Sequence, residues 1–421
     1  MRPKVQDKFK MSSNVKLIFI FLILLLALSL RFLLFYQNQI EYFDGEEVKF
    51  EKDLLSQPQI YSKTQRIMVF LDNGQRVFIY TPLFPQFNYA DKVNIAGTLN
   101  IRLLENGSRI YTMNFPKIEA VKYKQNPILA ITGLIRQKVI SIFESTLPNT
   151  ASGLLLGIVF GIKEAIPRDF YETLRISGTL HVTAASGMNV TMVGGFLSTV
   201  FAQFLRRQIA VVVSIIGILF YAVLAGLEPS IVRASIMGIL VFSSQILGRQ
   251  NWAIYGLLLT GYLMLLVNPG LLQDVGFQLS FLATAGLIFF IPLFPFNNKI
   301  WGSDLATTIS AQIAVLPVLF STFGTYSLWS VIANTLVLWS IPFLMILGGL
   351  GAIVGLIFEP LASIFLYLSL PLLLYFERVV SIFGSFGQMN INITSWAFVI
   401  GYYLLLAALV MFLNNKDKSK L

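Results

Sequence analysis

The chain contains no cysteine and a single histidine, His181. Disulfides, thiolate metal sites and cysteine nucleophiles are therefore excluded, and one histidine without cysteine makes a zinc centre unexpected. Charge is scarce as well: Asp, Glu, Lys and Arg make up 12% of the 421 residues, whereas 56% are hydrophobic. Soluble domains carry about 25% charged residues. No Gly-rich phosphate loop of the Walker type occurs, so the chain has no visible means of spending ATP. Hydrophobic runs fill the sequence instead, several approaching or exceeding the ~20 apolar residues that span a bilayer. With a mean hydropathy of +0.72, the composition is that of a polytopic membrane protein.

The net charge of +10 invites a nucleic-acid reading, but its distribution does not support one. Residues 1–36 hold six Lys/Arg and one acid, so half of the excess lies in the N-terminal flank. Residues 37–125 are nearly neutral, with eleven basic and ten acidic side chains. The positive-inside rule accounts for the basic flank and places the N-terminus in the cytoplasm, with the next segment outside.

Five regions follow from the pattern. Residues 1–36 form a basic tail and an uncleaved apolar anchor, longer than a signal-peptide core and without a small-residue cleavage site. Residues 37–125 become strand-like. Two β-rich runs flank Asn73-Gly74 and two more flank Asn106-Gly107, a strong hairpin signal. With YADKVNIAGTL between them, about five short strands suit a small exported OB-like barrel or a generic β spacer. Residues 126–148 are amphipathic, and Arg136, Lys138 and Glu144 argue for an interfacial helix. Residues 149–413 hold a rapid series of hydrophobic segments, and the basic tail 414–421 suits a cytoplasmic end. The whole is mostly α, with roughly ten transmembrane spans. Segment 327–357 is expected to bend or break at Pro342 or at Gly348, Gly349 and Gly351.

Polar side chains interrupt these apolar segments. The stretch HVTAASGMNVTMVGGFL, 181–197, strings His181, Ser186 and Asn189 through membrane depth. On a continuous helix at about 100° per residue, Ser186 and Asn189 lie about 140° and about 80° from His181, and Gly187 and Gly194 face the other way. One side then lines a path or bonds to neighbours as glue, while the other lets a helix approach closely. Arg233 sits about a turn inside its segment, where an unpaired charge costs roughly 2.5–3.5 kcal/mol. Glu228 is a candidate partner, and snorkelling is the alternative. Asp274 and Gln278 are four residues apart, as are Asp304, Thr308 and Gln312, and Ser280 follows close behind the first pair. Pro317 would bend its helix, and Asn334 lies early in another segment. No catalytic constellation emerges. Ser186 and His181 point apart on a regular helix, so serine hydrolysis is not expected, and no cofactor is implied.

Read together, these segments resemble the ComEC family of competence proteins. The likeness covers about residues 150–357. TLRISGTLHVTAASGMNVTMVGG is similar to the family's block of glycine turn, His, Ser-Gly and second His. AGLEPSIVRASIMG, LLVNPGLLQDVGFQLSFLATAGL and AQIAVLPVLFSTFGTYSLWSVIAN resemble three further blocks, in the same order. The resemblance implies an inner-membrane channel admitting single-stranded DNA during natural transformation, with His181, Ser186, Gly187, Arg233, Gln278, Ser280, Gln312, Pro317 and Asn334 as signature residues. It also implies separate competence proteins as partners: a DNA receptor, a cytoplasmic ATPase and a nuclease, with a homo-oligomer possible. Asn189 stands where the second signature histidine is expected, which removes a titratable group. The His-rich metallo-β-lactamase-like domain of many relatives has no counterpart in these residues. A transporter of another polymer or metabolite, and a non-transporting scaffold, are the competing readings.

Overall fold

The computed structural model of the chain describes residues 13–61, 63–71, 74–103, 109–120, 127–184, 186–247, 253–294, 300–390 and 396–418. Asn73 and the Asn106-Gly107 turn lie outside them. The first helix, α1 (Ser13–Gln37), is apolar all round and leaves Leu22 to Leu26 exposed, as suits a helix facing lipid. Arg31 and Tyr36 tie it inward.

A β unit follows, with strands β1 (Glu47–Asp53), β2 (Gln59–Ile60), β3 (Thr64–Phe70), β4 (Arg76–Pro82), β5 (Lys92–Thr98), β6 (Asn100–Leu103), β7 (Arg109–Asn114) and β8 (Lys117–Ala120). The sequence pattern anticipated about five. They divide into a three-stranded sheet, β1-β5-β8, and a five-stranded sheet, β2-β3-β4-β7-β6. The β3–β4 and β6–β7 pairs are antiparallel, in keeping with hairpins around the two Asn-Gly sites, and Gly74 has φ +81°. Alternating residues Ile67, Val69, Val77, Ile79, Val93 and Ile95 point inward to one core shared by both sheets.

The helical body comprises α2 (Pro127–Thr146), α3 (Asn149–Phe160), α4 (Arg168–Ser177), α5 (Gly187–Phe201), α6 (Arg207–Leu224), α7 (Pro229–Leu247), α8 (Ala253–Val267), α9 (Val275–Phe290), α10 (Ile300–Phe323), α11 (Ser330–Leu338), α12 (Ile341–Ile357), α13 (Glu359–Gly384) and α14 (Trp396–Lys418). Among the described residues, five segments are long and apolar enough to cross a membrane, one of them (Leu180–Phe201) only when α5 is taken with the turn before it, or six if the bent pair α11–α12 is one span. Four more apolar helices are shorter. The expected break in 327–357 falls between α11 and α12, which meet at 50°. Pro342 sits in the first turn of α12, where it needs no helical partner. The three glycines lie inside α12 instead; a Cβ on Gly348 would come within 2.7 Å of Val159, so that glycine permits close packing on α3.

The β unit docks against one end of the helical body. Tyr89 donates its hydroxyl to the Val223 carbonyl at 2.8 Å, and the Arg136 guanidinium stacks on its ring at 4.3 Å. Arg136, read from sequence as a mark of an interfacial helix, is buried and donates to the Leu224 carbonyl at 2.6 Å. Arg168 covers Tyr61, and Arg76 of β4 pairs with Asp274. Beside this junction, Lys163 pairs with Glu228 at 2.8 Å. Glu228 is therefore engaged elsewhere and does not partner Arg233.

Burial pushes the Glu164 carboxyl above the usual range, and the pull of Arg136 and Lys163 does not cancel it. A carboxyl with a raised folded-state pKa favours folding while protonated, and that contribution is lost as pH rises through the folded value. Glu164→Gln is neutral at every pH. It should raise the melting temperature at about pH 8 and match the wild type near about pH 4, where both side chains are uncharged. Thermal unfolding in detergent across that range checks the sign.

Candidate functional site

The stretch 181–197 is not one helix. Gly178 closes α4 with φ +75°, a 3₁₀ turn covers Leu180–Val182, and Ser186 adopts an extended conformation before α5 begins at Gly187. The helical-wheel relation among His181, Ser186 and Asn189 therefore does not apply. Thr183 turns its hydroxyl back to the Leu180 carbonyl at 2.8 Å, and Asn189 and Gly187 hold the restarted helix against α3 and Arg233. His181 sits in the 3₁₀ turn with an exposed side chain.

Ser186 donates to the Asn189 side-chain oxygen at 3.0 Å, and Asn189 donates its amide to the Ile158 carbonyl at 2.7 Å. Tyr221 donates to the neighbouring Val159 carbonyl at 2.8 Å. Asn189 is 2% exposed. It links α5 to the C-terminal end of α3 and has glue character. The Ser186 hydroxyl is bonded to Asn189 and not to His181, so no nucleophile–base pair forms there.

Arg233 gathers three helices. Its Nε donates to Ser280 at 2.8 Å and its Nη1 to Thr284, both on α9, and Nη1 also meets the Met237 sulfur at 3.5 Å. A Cβ on Gly187 would lie 3.2 Å from its Nη2, so the start of α5 packs directly on the guanidinium. Gly194, one face further along α5, admits Ile218 and Phe242 equally closely. Arg233 is 8% exposed. Among the described residues its partners are hydroxyls and a thioether, with no carboxylate. Thr284 was not singled out from sequence, although it lies one helical turn beyond Ser280 on the same face.

A second group forms around Gln312. Its amide donates to Ser330 at 3.0 Å and its oxygen accepts from Tyr326 at 2.6 Å. Asn334, one turn after Ser330, donates to the Gly178 carbonyl at 3.4 Å, while its own oxygen is buried without a partner. This group joins α10 and α11 to the turn that carries His181. Pro317 lies within α10, past Gln312.

The remaining candidates do not join either group. Asp274 caps α9 by accepting from the Phe277 N–H at 2.8 Å and pairs with Arg76, which makes it a docking residue for the β unit. Gln278 bonds back to the Leu272 carbonyl at 2.8 Å. Asp304 is half-buried, and Thr308 beside it is buried with an unpartnered hydroxyl. The four-residue stripes thus mark helix faces, but their members serve different contacts. Among the described residues no group of three or more His, Asp or Glu is placed to hold a metal ion.

Comparison with known proteins adds the ancestry. The Competence protein family matches residues 158–416, which include all the candidates above. The chain is 25% identical over 232 residues to ComE operon protein 3 of Bacillus subtilis (strain 168), covering 55% of this chain and 30% of that protein. It is 25% identical over 243 residues to the uncharacterized protein YcaI of Escherichia coli (strain K12), covering 53% and 32%. A third relative, an uncharacterized protein of Aquifex aeolicus (strain VF5), is 28% identical over 234 residues, covering 55% and 54%. The chain thus spans about a third of the length of the first two relatives and about half of the third. No solved structure matches. The family match over most of the helical body, together with the similarity to ComE operon protein 3, makes the chain a member of the ComEC family of competence proteins.

Proposed function

We propose that this chain forms the inner-membrane passage for single-stranded DNA during natural transformation. The observation that carries the reading is Arg233. A guanidinium held at membrane depth by hydroxyls from another helix, without a carboxylate to neutralise it, keeps its charge for an anion. A phosphodiester backbone supplies one at every nucleotide, and polar, cationic grooves are how proteins track single strands. The Gln312, Tyr326 and Ser330 group supplies neutral hydrogen-bonding capacity on α10, which packs against α9, and His181 is exposed. Membership of a competence family supports DNA as the substrate.

In this reading the N-terminus is cytoplasmic and the β unit is an extracytoplasmic OB-like module over the mouth of the passage. The chain does no chemistry on the strand. A DNA receptor, a cytoplasmic ATPase and a nuclease act as separate polypeptides, with the bilayer and a second copy of the chain as further partners.

Deleting the gene should abolish uptake of chromosomal DNA in a transformation assay; normal uptake in its absence would sink the reading. Arg233→Gln keeps a hydrogen-bonding side chain and removes the charge. It should lower uptake ~10-fold or more at unchanged membrane levels, matching the ~1.5–3 kcal/mol of a charged hydrogen bond. Arg233→Lys should retain part of the activity. His181→Asn removes the only imidazole; wild-type uptake in that variant would reduce His181 to a packing role.

A further inference from the structure

Proline has no N–H, so in α10 Pro317 cannot donate to the Ile313 carbonyl one turn before it. In an apolar surrounding that carbonyl needs another donor. It receives one from outside the helix: Tyr402 of α14 donates its hydroxyl to Ile313 O at 2.9 Å. The adjacent Tyr403 donates to the next carbonyl, Ala314 O, also at 2.9 Å. The two rings meet edge-on with centroids 5.8 Å apart. Much of α14 is otherwise exposed, including Ile400, Leu404, Leu405 and Leu409. Two phenols are thus the polar ties between an outer helix and the weak point of an inner one.

That weak point adjoins the second polar group. Gln312, which holds Tyr326 and Ser330, immediately precedes Ile313. Ala314 packs on the other side against Gly286 of α9, where a Cβ would come within 2.7 Å of it. The path of α10 through Ile313 and Ala314 therefore sets both where Gln312 points and how α9, carrying Ser280 and Thr284, sits beside it.

We propose that Tyr402 and Tyr403 are positioning residues for transport: the Tyr402 hydroxyl replaces the backbone donor that Pro317 lacks, the Tyr403 hydroxyl braces the next carbonyl, and together they fix where α10 holds Gln312. The transport part of this statement rests on the DNA-passage reading above; the positioning part does not.

Because the chain has no native cysteine, spin labels can be placed at two introduced cysteines without background. Leu272→Cys and Phe323→Cys are exposed positions, the first just before α9 and the second at the end of α10. In the full chain in lipid nanodiscs, Tyr402→Phe/Tyr403→Phe should shift or broaden the distance distribution between them. The same double variant should lower DNA uptake by about ten-fold at unchanged membrane levels. Pro317→Ala restores the missing backbone N–H, so adding Tyr402→Phe to it should change neither readout further. An unaltered distance distribution in the double variant overturns the proposal, as does an equal effect of Tyr402→Phe with and without Pro317. If the wild-type gene does not restore uptake to a deletion strain, the passage reading fails, and the distance measurement still decides the role of the tyrosines.

Discussion

Inside a bilayer, a backbone carbonyl that loses its helical partner has no water to turn to. This chain is built from helices that stop short, restart or carry proline, so it creates many such carbonyls. Several of those in the described residues are met by a side chain from elsewhere. Asn189 and Tyr221 reach the last turn of α3, Arg136 the end of α6, Tyr375 the Leu336 carbonyl in α11, and Tyr402 the carbonyl freed in α10. Arg31 of the anchor helix donates to Leu266 and Val267, both at 3.0 Å, and so ties α1 to the end of α8. These contacts tie the breaks of the helical body to polar side chains on other helices.

The same constraint separates two kinds of polar residue. Asn189, Asp274 and Gln278 are consumed by backbone groups and stabilise helix ends. Arg233 differs because nothing in the backbone needs it. Its partners are side-chain hydroxyls that can release it, and three helices converge on it. Gln312 is intermediate, held by Tyr326 and Ser330 and by no carbonyl.

Hydropathy made the longer helices legible. The series of hydrophobic segments expected within 149–413 contains α6 and α10, because a bilayer-length apolar run has few other ways to fold. The hairpins were legible from Asn-Gly between alternating strands, although the short strands β2 and β8 left no comparable signal. Periodicity failed at 181–197 because a helical wheel presumes continuity. The break there depends on the Thr183 hydroxyl and on contacts with α3 and α7, none of which has a local signature. The pairing of Glu228 failed for a related reason. Arg233 is near it in sequence, but Lys163 is near it in space. Tyr221, Tyr326 and Tyr402 were passed over because a tyrosine in an apolar run looks like bulk, and only the fold reveals which carbonyl it serves.

The engagement of Glu228 by Lys163 has an electrical consequence. It leaves the guanidinium of Arg233 uncompensated in a low-dielectric setting, where a fixed positive charge raises the barrier for sodium ions and protons alike. On the proposed passage reading, a built-in cationic barrier of this kind tells traffic apart by sign: it favours a polyanion and opposes the cations whose gradient a wide route would otherwise dissipate.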